Sequence, residues 1–406
     1  MSRGYKKFML LWTGELISSI GGGLTSFGLG IYVFNETGSA AGMALVTLLG
    51  FLPTLLLSVP AGVLADRFDR RMLMMIGDGC SGLGILFILI CMKCGGATLV
   101  QICIGVFVSA VFSSLLEPSY RSTVTDILTK EEFSKANGLV SLAGSARYLF
   151  SPVIAGLLLT VSDISLLLII DICTFFVTIT TTAIVRRGIQ TNRNMDKQPF
   201  FASMKEGWQA VHGRKGVFLL IIVSSTISMF MGILQILVEP MVLSFADSKT
   251  LGIAESVCAC GMLAAALVLG IFGIKKGYVR VLRISFFLAG IFMIGMSLIE
   301  NIIPICIFGF LFFAMLPIAN NCMDYLARTN IPDELQGRAW GFIGFLSQLG
   351  YVVAYTVSGV AADGLGALTE KGVGRGAAIM ILISGILLAI TSVTLLRFPE
   401  IKKLEK

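Results

Sequence analysis

The chain is 406 residues long, 56% hydrophobic and only 14% charged, with a formal net charge of +7. An ordinary soluble domain carries about a quarter charged residues, so this composition excludes one. The charges fall in short clusters between long apolar runs; they act as a topology signal and call for no nucleic-acid partner.

In chain order, the predicted spans cover 8–33, 40–64, 72–92, 97–118, 137–160, 165–185, 217–243, 252–274, 283–299, 302–325, 338–361 and 376–396. A hydrocarbon core of about 30 Å asks for roughly twenty apolar residues at 1.5 Å rise per residue, and these stretches supply them. Helices satisfy every backbone amide internally, so the expected fold class is an all-α membrane protein of twelve transmembrane helices. The expected division is a six-helix bundle over 1–185, a cytoplasmic loop over 186–215 and a second six-helix bundle over 216–406. That loop contains the only histidine, His212, and an amphipathic stretch over 203–213 suited to a membrane surface.

Of the 31 Lys and Arg residues, 26 fall at the termini and in alternate loops, against four (Lys93, Lys249, Lys371 and Arg375) in the remaining loops. The positive-inside rule then places both termini in the cytoplasm of a bacterial cytoplasmic membrane. Met1–Lys7 runs directly into a span too long for a cleaved signal. The nine cysteines lie almost entirely in apolar spans, and Cys91 and Cys94 have no second pair, so no zinc site is expected.

An ionisable side chain near mid-bilayer costs at least about 2.5–3.5 kcal/mol on insertion scales, so each one asks for a cavity or a partner. Glu15 is eight residues into the first span, Arg147 lies in the fifth and Asp171 in the sixth. Glu15 is the expected principal proton or cation acceptor, with a static ion pair to Arg147 as the structural alternative. Asp78 and Glu117, near the ends of spans three and four, are expected to pair with Arg70, Arg71 or Arg121. Glu239 stands at the outer end of span seven, and Asp324 and Arg328 are spaced for a local pair. Phe230, Met231 and Gln235 in span seven, with Asn320 and Asn321 in span ten, are candidate cavity liners.

The halves carry a faint repeat. Gly62–Arg70 matches Gly270–Arg280, Ser134–Gly138 matches Gln336–Gly341, and Gly156 matches Gly359, at offsets between 202 and 208. A duplicated six-span unit is the expected signature of a carrier whose site lies near the membrane midplane.

The strongest local motif is Gly62-Val-Leu-Ala-Asp66-Arg67-Phe-Asp-Arg70-Arg71 between spans two and three. Gly62 permits close packing and a tight turn, and Asp66 can face the positive amino end of span eleven near Arg338. The arginines can pair with carboxylates, so the loop can latch a cytoplasmic gate. This motif resembles the loop signature of the major facilitator superfamily. The opening Leu11–Gly21, with Gly50–Pro53, Ala136–Gly138, Ser151-Pro152 and Gly337-Arg338, is similar to the bacterial drug-export branch, and macrolide-efflux permeases above all. Ser151-Pro152-Val-Ile-Ala-Gly156 resembles the antiporter motif of span five, with Arg147 at its first small position.

The resemblance implies a non-enzymatic secondary transporter that exports small hydrophobic or amphiphilic compounds in exchange for protons by alternating access. It implies a monomer driven by the proton gradient, with no cofactor and no metal. It also implies that spans one and five are adjacent, so that Glu15 and Arg147 can pair. Siderophore export, lysolipid transport and a non-transporting receptor remain alternative readings.

Overall fold

The computed structural model describes residues 2–129, 132–186, 215–331, 336–395 and 398–405, apart from the side chains of 3, 59, 133–135, 137, 141, 336–341 and 399. The predicted amphipathic stretch 203–213 and His212 lie outside the described residues. The described chain is helical, without strands. The helices are α1 (Arg3–Thr37), α2 (Ala40–Arg67), α3 (Arg70–Lys93), α4 (Leu99–Ser113), α5 (Leu116–Ile127), α6 (Phe133–Val161) and α7 (Ile164–Arg186), followed by α8 (Lys215–Leu243), α9 (Ser248–Phe272), α10 (Tyr278–Leu298), α11 (Ile302–Asn330), α12 (Gln336–Thr369), α13 (Gly372–Thr394) and α14 (Pro399–Lys403).

Among the described residues, twelve helical stretches are long and apolar enough to cross a membrane. Several overrun their predicted spans: α1 has 35 residues where hydropathy marks 8–33. Hydropathy sees only the stretch that lipid must cover, whereas the backbone ladder continues into the polar zone at little cost. The fourth crossing, read from sequence as one span, is broken at Ser114-Leu115 into α4 and α5. Pro118 explains the break, since it has no amide to return to the Ser114 carbonyl.

Side chains fix where helices begin. Asp69 caps α3 by accepting from the Arg71 amide at 3.1 Å, and Thr98 and Gln101 form a reciprocal capping box on α4. Asp247 caps α9, accepting from the Thr250 amide at 2.9 Å. Its hydrogen bonds from the Thr250 side chain and backbone hold the Asp247 carboxyl below the usual carboxylate range.

The helices fall into two compact units, Met1–Thr37 with Leu45–Asp196, and Gly38–Ala44 with Lys197–Lys406. In the first unit α1 packs on α6 and α7, and α3 on α4 and α7. Phe8, Leu11, Met74, Tyr120, Val124 and Val185 close one end of it as a buried apolar cluster. In the second unit α8 packs on α12 and α13, and α10 on α11 and α13. These pairings correspond between the units, α1 with α8, α3 with α10, α4 with α11, α6 with α12 and α7 with α13. At the α10–α13 crossing a Cβ on Gly290 would stand 2.6 Å from the Gly385 carbonyl, which only glycine allows.

A division at the central loop leaves 38–44 in the first half, whereas the structure groups them with the second unit. Asp363 of α12 is the cause. Its carboxylate accepts from the Ser39 hydroxyl at 2.6 Å, the Ala40 amide at 2.8 Å and the Ala41 amide at 3.1 Å. It thus satisfies the orphan donors at the start of α2 from a distant part of the chain.

Candidate functional site

Three carboxyl side chains gather inside the first unit, from α1, α3 and α7. Asp171 is 1% exposed and accepts from the Thr25 hydroxyl at 2.6 Å and, more weakly, from that of Thr174 at 3.4 Å. Asp78 is 3% exposed, with Thr178 of α7 beside it, and lies within electrostatic reach of both Glu15 and Asp171. Glu15 is half-buried, and the charge that acts on it is Glu117. Glycine makes this gathering possible: a Cβ on Gly21 would stand 2.6 Å from Thr174 Oγ1 and 2.9 Å from Asp171 Oδ1. The α7 side is a stripe of hydroxyls at helical spacing, Thr174, Thr178 and Thr182, each buried.

This arrangement moves Asp78 away from its expected place. Its nearness to Arg70 and Arg71 in sequence points to the arginine cluster instead. Two turns of helix carry it inward, and no ion pair among the described residues includes it. The signal was present in the sequence, since Asp171-x-x-Thr174-x-x-x-Thr178 is one face of a helix. Which helix that face would meet was not.

The expected Glu15–Arg147 pair is not formed. Helices α1 and α6 run parallel and are joined at three levels: Trp12 Nε1 donates to the Leu139 carbonyl at 2.6 Å, Ser19 Oγ to that of Ala143 at 3.1 Å, and Ser151 Oγ to that of Ile20 at 2.9 Å. Arg147 lies against Gly23, eight residues or about 12 Å along α1 beyond Glu15. Its guanidinium continues the same way and donates to Ser26 Oγ at 2.7 Å. The carboxylate within its electrostatic reach is Asp171. Ser151, Pro152 and Gly156 are all buried on α6, and Ser151 with Arg147 lies against Gly23.

The loop motif builds a second cluster at one end of the same unit. Arg70 reaches Asp126 at 2.7 Å, the Ser122 carbonyl at 3.2 Å and the Ala65 carbonyl at 3.1 Å. Arg71, with a side chain 2% exposed, meets the other Asp126 oxygen at 3.4 Å. Asp66 stands 3.5 Å from Arg70 and is largely exposed, and Asp69 takes Arg186 at 2.9 Å. Asp126 was not anticipated; it is 56 residues from Arg70, and only folding brings the two together. Glu117 pairs with Arg121 on its own helix at 2.8 Å, in solvent, and with neither Arg70 nor Arg71. Arg67 is exposed in the last turn of α2, where its charge meets the negative end of the helix.

Gly62 departs from expectation as well: it lies inside α2 with open space where a Cβ would point, and the turn comes later, at Phe68-Asp69. The expected meeting of Asp66 with the start of span eleven falls on residues 332–335 and the side chain of Arg338, outside the described residues.

In the second unit, Phe230 and Met231 line a void of about 10 Å³ with Phe286, Met315, Ala319 and Leu388. That is room for about one water molecule, too little for an amphiphilic compound. Gln235 is exposed and accepts from the Tyr355 hydroxyl at 2.8 Å. Asn320 and Asn321 are exposed on α11. Among the described residues no three His, Cys, Asp or Glu side chains are placed to hold a metal ion.

Comparison with known proteins agrees with this architecture. The chain is 27% identical over 376 residues to macrolide efflux protein A of Streptococcus pyogenes, covering 89% of this chain and 90% of that protein. It is 22% identical to the multidrug efflux pump Tap of Mycolicibacterium fortuitum, covering 88% and 90%. Among solved structures, a bacterial homologue of the iron transporter ferroportin superposes with a TM-score of 0.75 at 12% identity, covering 97% of this chain and 99% of that one. Residues 11–355 match the profile of the Major Facilitator Superfamily, and the chain is a multi-pass membrane transporter of that family, not an enzyme.

Proposed function

We propose that this transporter exports hydrophobic or amphiphilic compounds from a bacterial cell in exchange for protons, with both termini on the cytoplasmic side. The observation that carries the reading is the group of Glu15, Asp78 and Asp171, drawn from three helices into an otherwise apolar bundle. Such carboxyls are costly to hold in a membrane unless they take up and release a charge as part of the work. The threonine hydroxyls at Asp171 can donate to an ionised carboxylate and rotate to accept from a protonated one. They give a proton held at Glu15 further polar positions along α7.

The efflux relatives support the export direction, and the excess of Lys and Arg in alternate loops supports the sidedness. The Arg70–Arg71–Asp126 cluster is a fitting latch at the cytoplasmic end, because a few shared charges can be made and broken as a unit. The deciding experiment is efflux from loaded cells, with and without a protonophore, across macrolides, lipophilic dyes, a siderophore and a lysolipid. Efflux of an amphiphilic drug that the protonophore abolishes and Glu15→Gln removes is the expected result. Export that persists without a proton gradient refutes the coupling, and transport confined to the siderophore or lysolipid refutes the substrate class.

A further inference from the structure

The hydroxyl of Tyr120 makes no contact that explains it. Its side chain is 4% exposed, in the apolar cluster with Phe8 and Leu11 of α1 and Met74 of α3, and its Oη is sealed from solvent without a hydrogen-bond partner. Phenylalanine would fill that cluster and leave no polar atom unpaired, which is the cheaper arrangement for packing alone. A second incomplete group stands on α1: among the described residues the Glu15 carboxylate makes no hydrogen bond.

Helix register brings the two together. Gly4 of α1 lies against the Ile127 carbonyl of α5, while Phe8 and Leu11 share the cluster with Val124 and Tyr120, so the two helices run antiparallel. From the Gly4–Ile127 contact, Tyr120 is seven residues back along α5, about 10.5 Å, and Glu15 is eleven residues on along α1, about 16.5 Å. The difference is about one helical turn, and both side chains lean so as to close it. In a helix the Cα–Cβ bonds tilt toward the N-terminus, which in this antiparallel pair aims Tyr120 at the level of Glu15 and Glu15 back at Tyr120. The carboxylate that acts electrostatically on the phenol is that of Glu15.

The other groups around Glu15 leave this donor without a rival. Helix α5 also presents Glu117 and α3 presents Asp78, both acids. The described charges beside α6, Glu132 and Arg147, lie at Ser2 and Gly23, well to either side along α1. On α7, Asp171 lies at Gly21, and Thr181, which faces Gly14, already donates to the Thr178 carbonyl.

We propose that Tyr120 is a positioning residue for the proton acceptor: when Glu15 gives up its proton, the Tyr120 hydroxyl turns to donate to the carboxylate and holds it ionised until the next proton arrives. The phenol keeps its own proton throughout, and the proton that Glu15 loses passes to water. The proposal rests on the reading of Glu15 as proton acceptor and adds the group that stabilises its charged form.

The test follows Glu15 itself in the purified full chain in lipid nanodiscs, through the infrared band of its protonated carboxyl, identified as the band that Glu15→Gln removes. Tyr120→Phe loses a hydrogen bond to the ionised form, so the titration midpoint of that band should move upward by about one to two pH units. The pH profile of proton-driven efflux should move the same way. Thermal stability in acid, where Glu15 is protonated, should not fall in Tyr120→Phe. A Glu15 midpoint unchanged in this variant overturns the proposal. An equal shift in Leu11→Ala, which loosens the same cluster and keeps the hydroxyl, overturns it as well, because packing then sets the midpoint. If Tyr120→Phe fails to fold, uniform replacement of tyrosine by 3-fluorotyrosine decides: the more acidic hydroxyl should move the midpoint downward, and an unmoved midpoint overturns the proposal. A band that titrates but ignores Tyr120 sinks this inference alone. Normal proton-driven efflux in Glu15→Gln sinks the proton-acceptor reading and this inference with it.

Discussion

Replacing Asp126 by asparagine removes the anion that two arginines share. Arg71 is 2% exposed, Arg70 25% and Asp126 33%, with separations of 3.4 Å and 2.7 Å to the two carboxylate oxygens. A fully buried pair broken on one side costs about 3–5 kcal/mol, because the remaining charge is stranded, and an exposed pair costs about 0–1. Asp126 lies between these limits, and asparagine keeps one acceptor oxygen, so Asp126→Asn should cost about 2 kcal/mol. Arg71 carries most of that loss, since its Nε already has no partner and Asp126 is the anion at its buried guanidinium.

Helix α5 supplies its own control. Glu117 pairs with Arg121 at 2.8 Å, a good distance, but both side chains are over 70% exposed. Glu117→Gln should therefore cost below about 0.5 kcal/mol. Thermal unfolding of the two variants in one detergent, followed by intrinsic fluorescence, compares them directly. Equal shifts in midpoint would refute the claim that burial, more than distance, sets the worth of these pairs.

Asp363→Ala removes three hydrogen bonds from the start of α2 and should cost about 1–2 kcal/mol in thermal unfolding, with Asp363→Asn recovering part of it. An unchanged midpoint would show that α2 is capped equally well by water. Gly21→Val drives a side chain into Thr174 and Asp171 and should destabilise by about 1–3 kcal/mol; a variant of wild-type stability would mean that α1 and α7 are not packed this closely. Thr178→Val removes the hydroxyl beside Asp78 and should slow proton-driven efflux, while Thr178→Ser restores it; equal rates in both would exclude a role for that hydroxyl. The Asp247 carboxyl is held low by its Thr250 bonds. Its cap is therefore present at neutral pH and lost as pH falls through that lowered value. Asp247→Ala should lose stability relative to wild type at pH 7 and converge with it in strong acid, as read by thermal midpoint at each pH.

The class of molecule and much of its plan are written in the order of the residues. Hydropathy fixed the crossings because lipid leaves the backbone only one way to satisfy its amides, and the motif around Asp66 and Arg70, repeated faintly in the second half, marked the family. The acids Glu15 and Asp171 within the spans were legible too, because a charge in an apolar run stands out whatever surrounds it. Partners were not legible. Asp126 meets Arg70 and Arg71, Arg147 reaches Ser26 rather than Glu15, Asp78 turns inward to Thr178, and Asp363 holds the start of α2. Each of these depends on the register between helices distant in sequence, which is set by where small residues such as Gly21 and Gly23 let backbones approach. Spacing along one helix is written in the chain, but the offset between two helices is settled only when their surfaces pack.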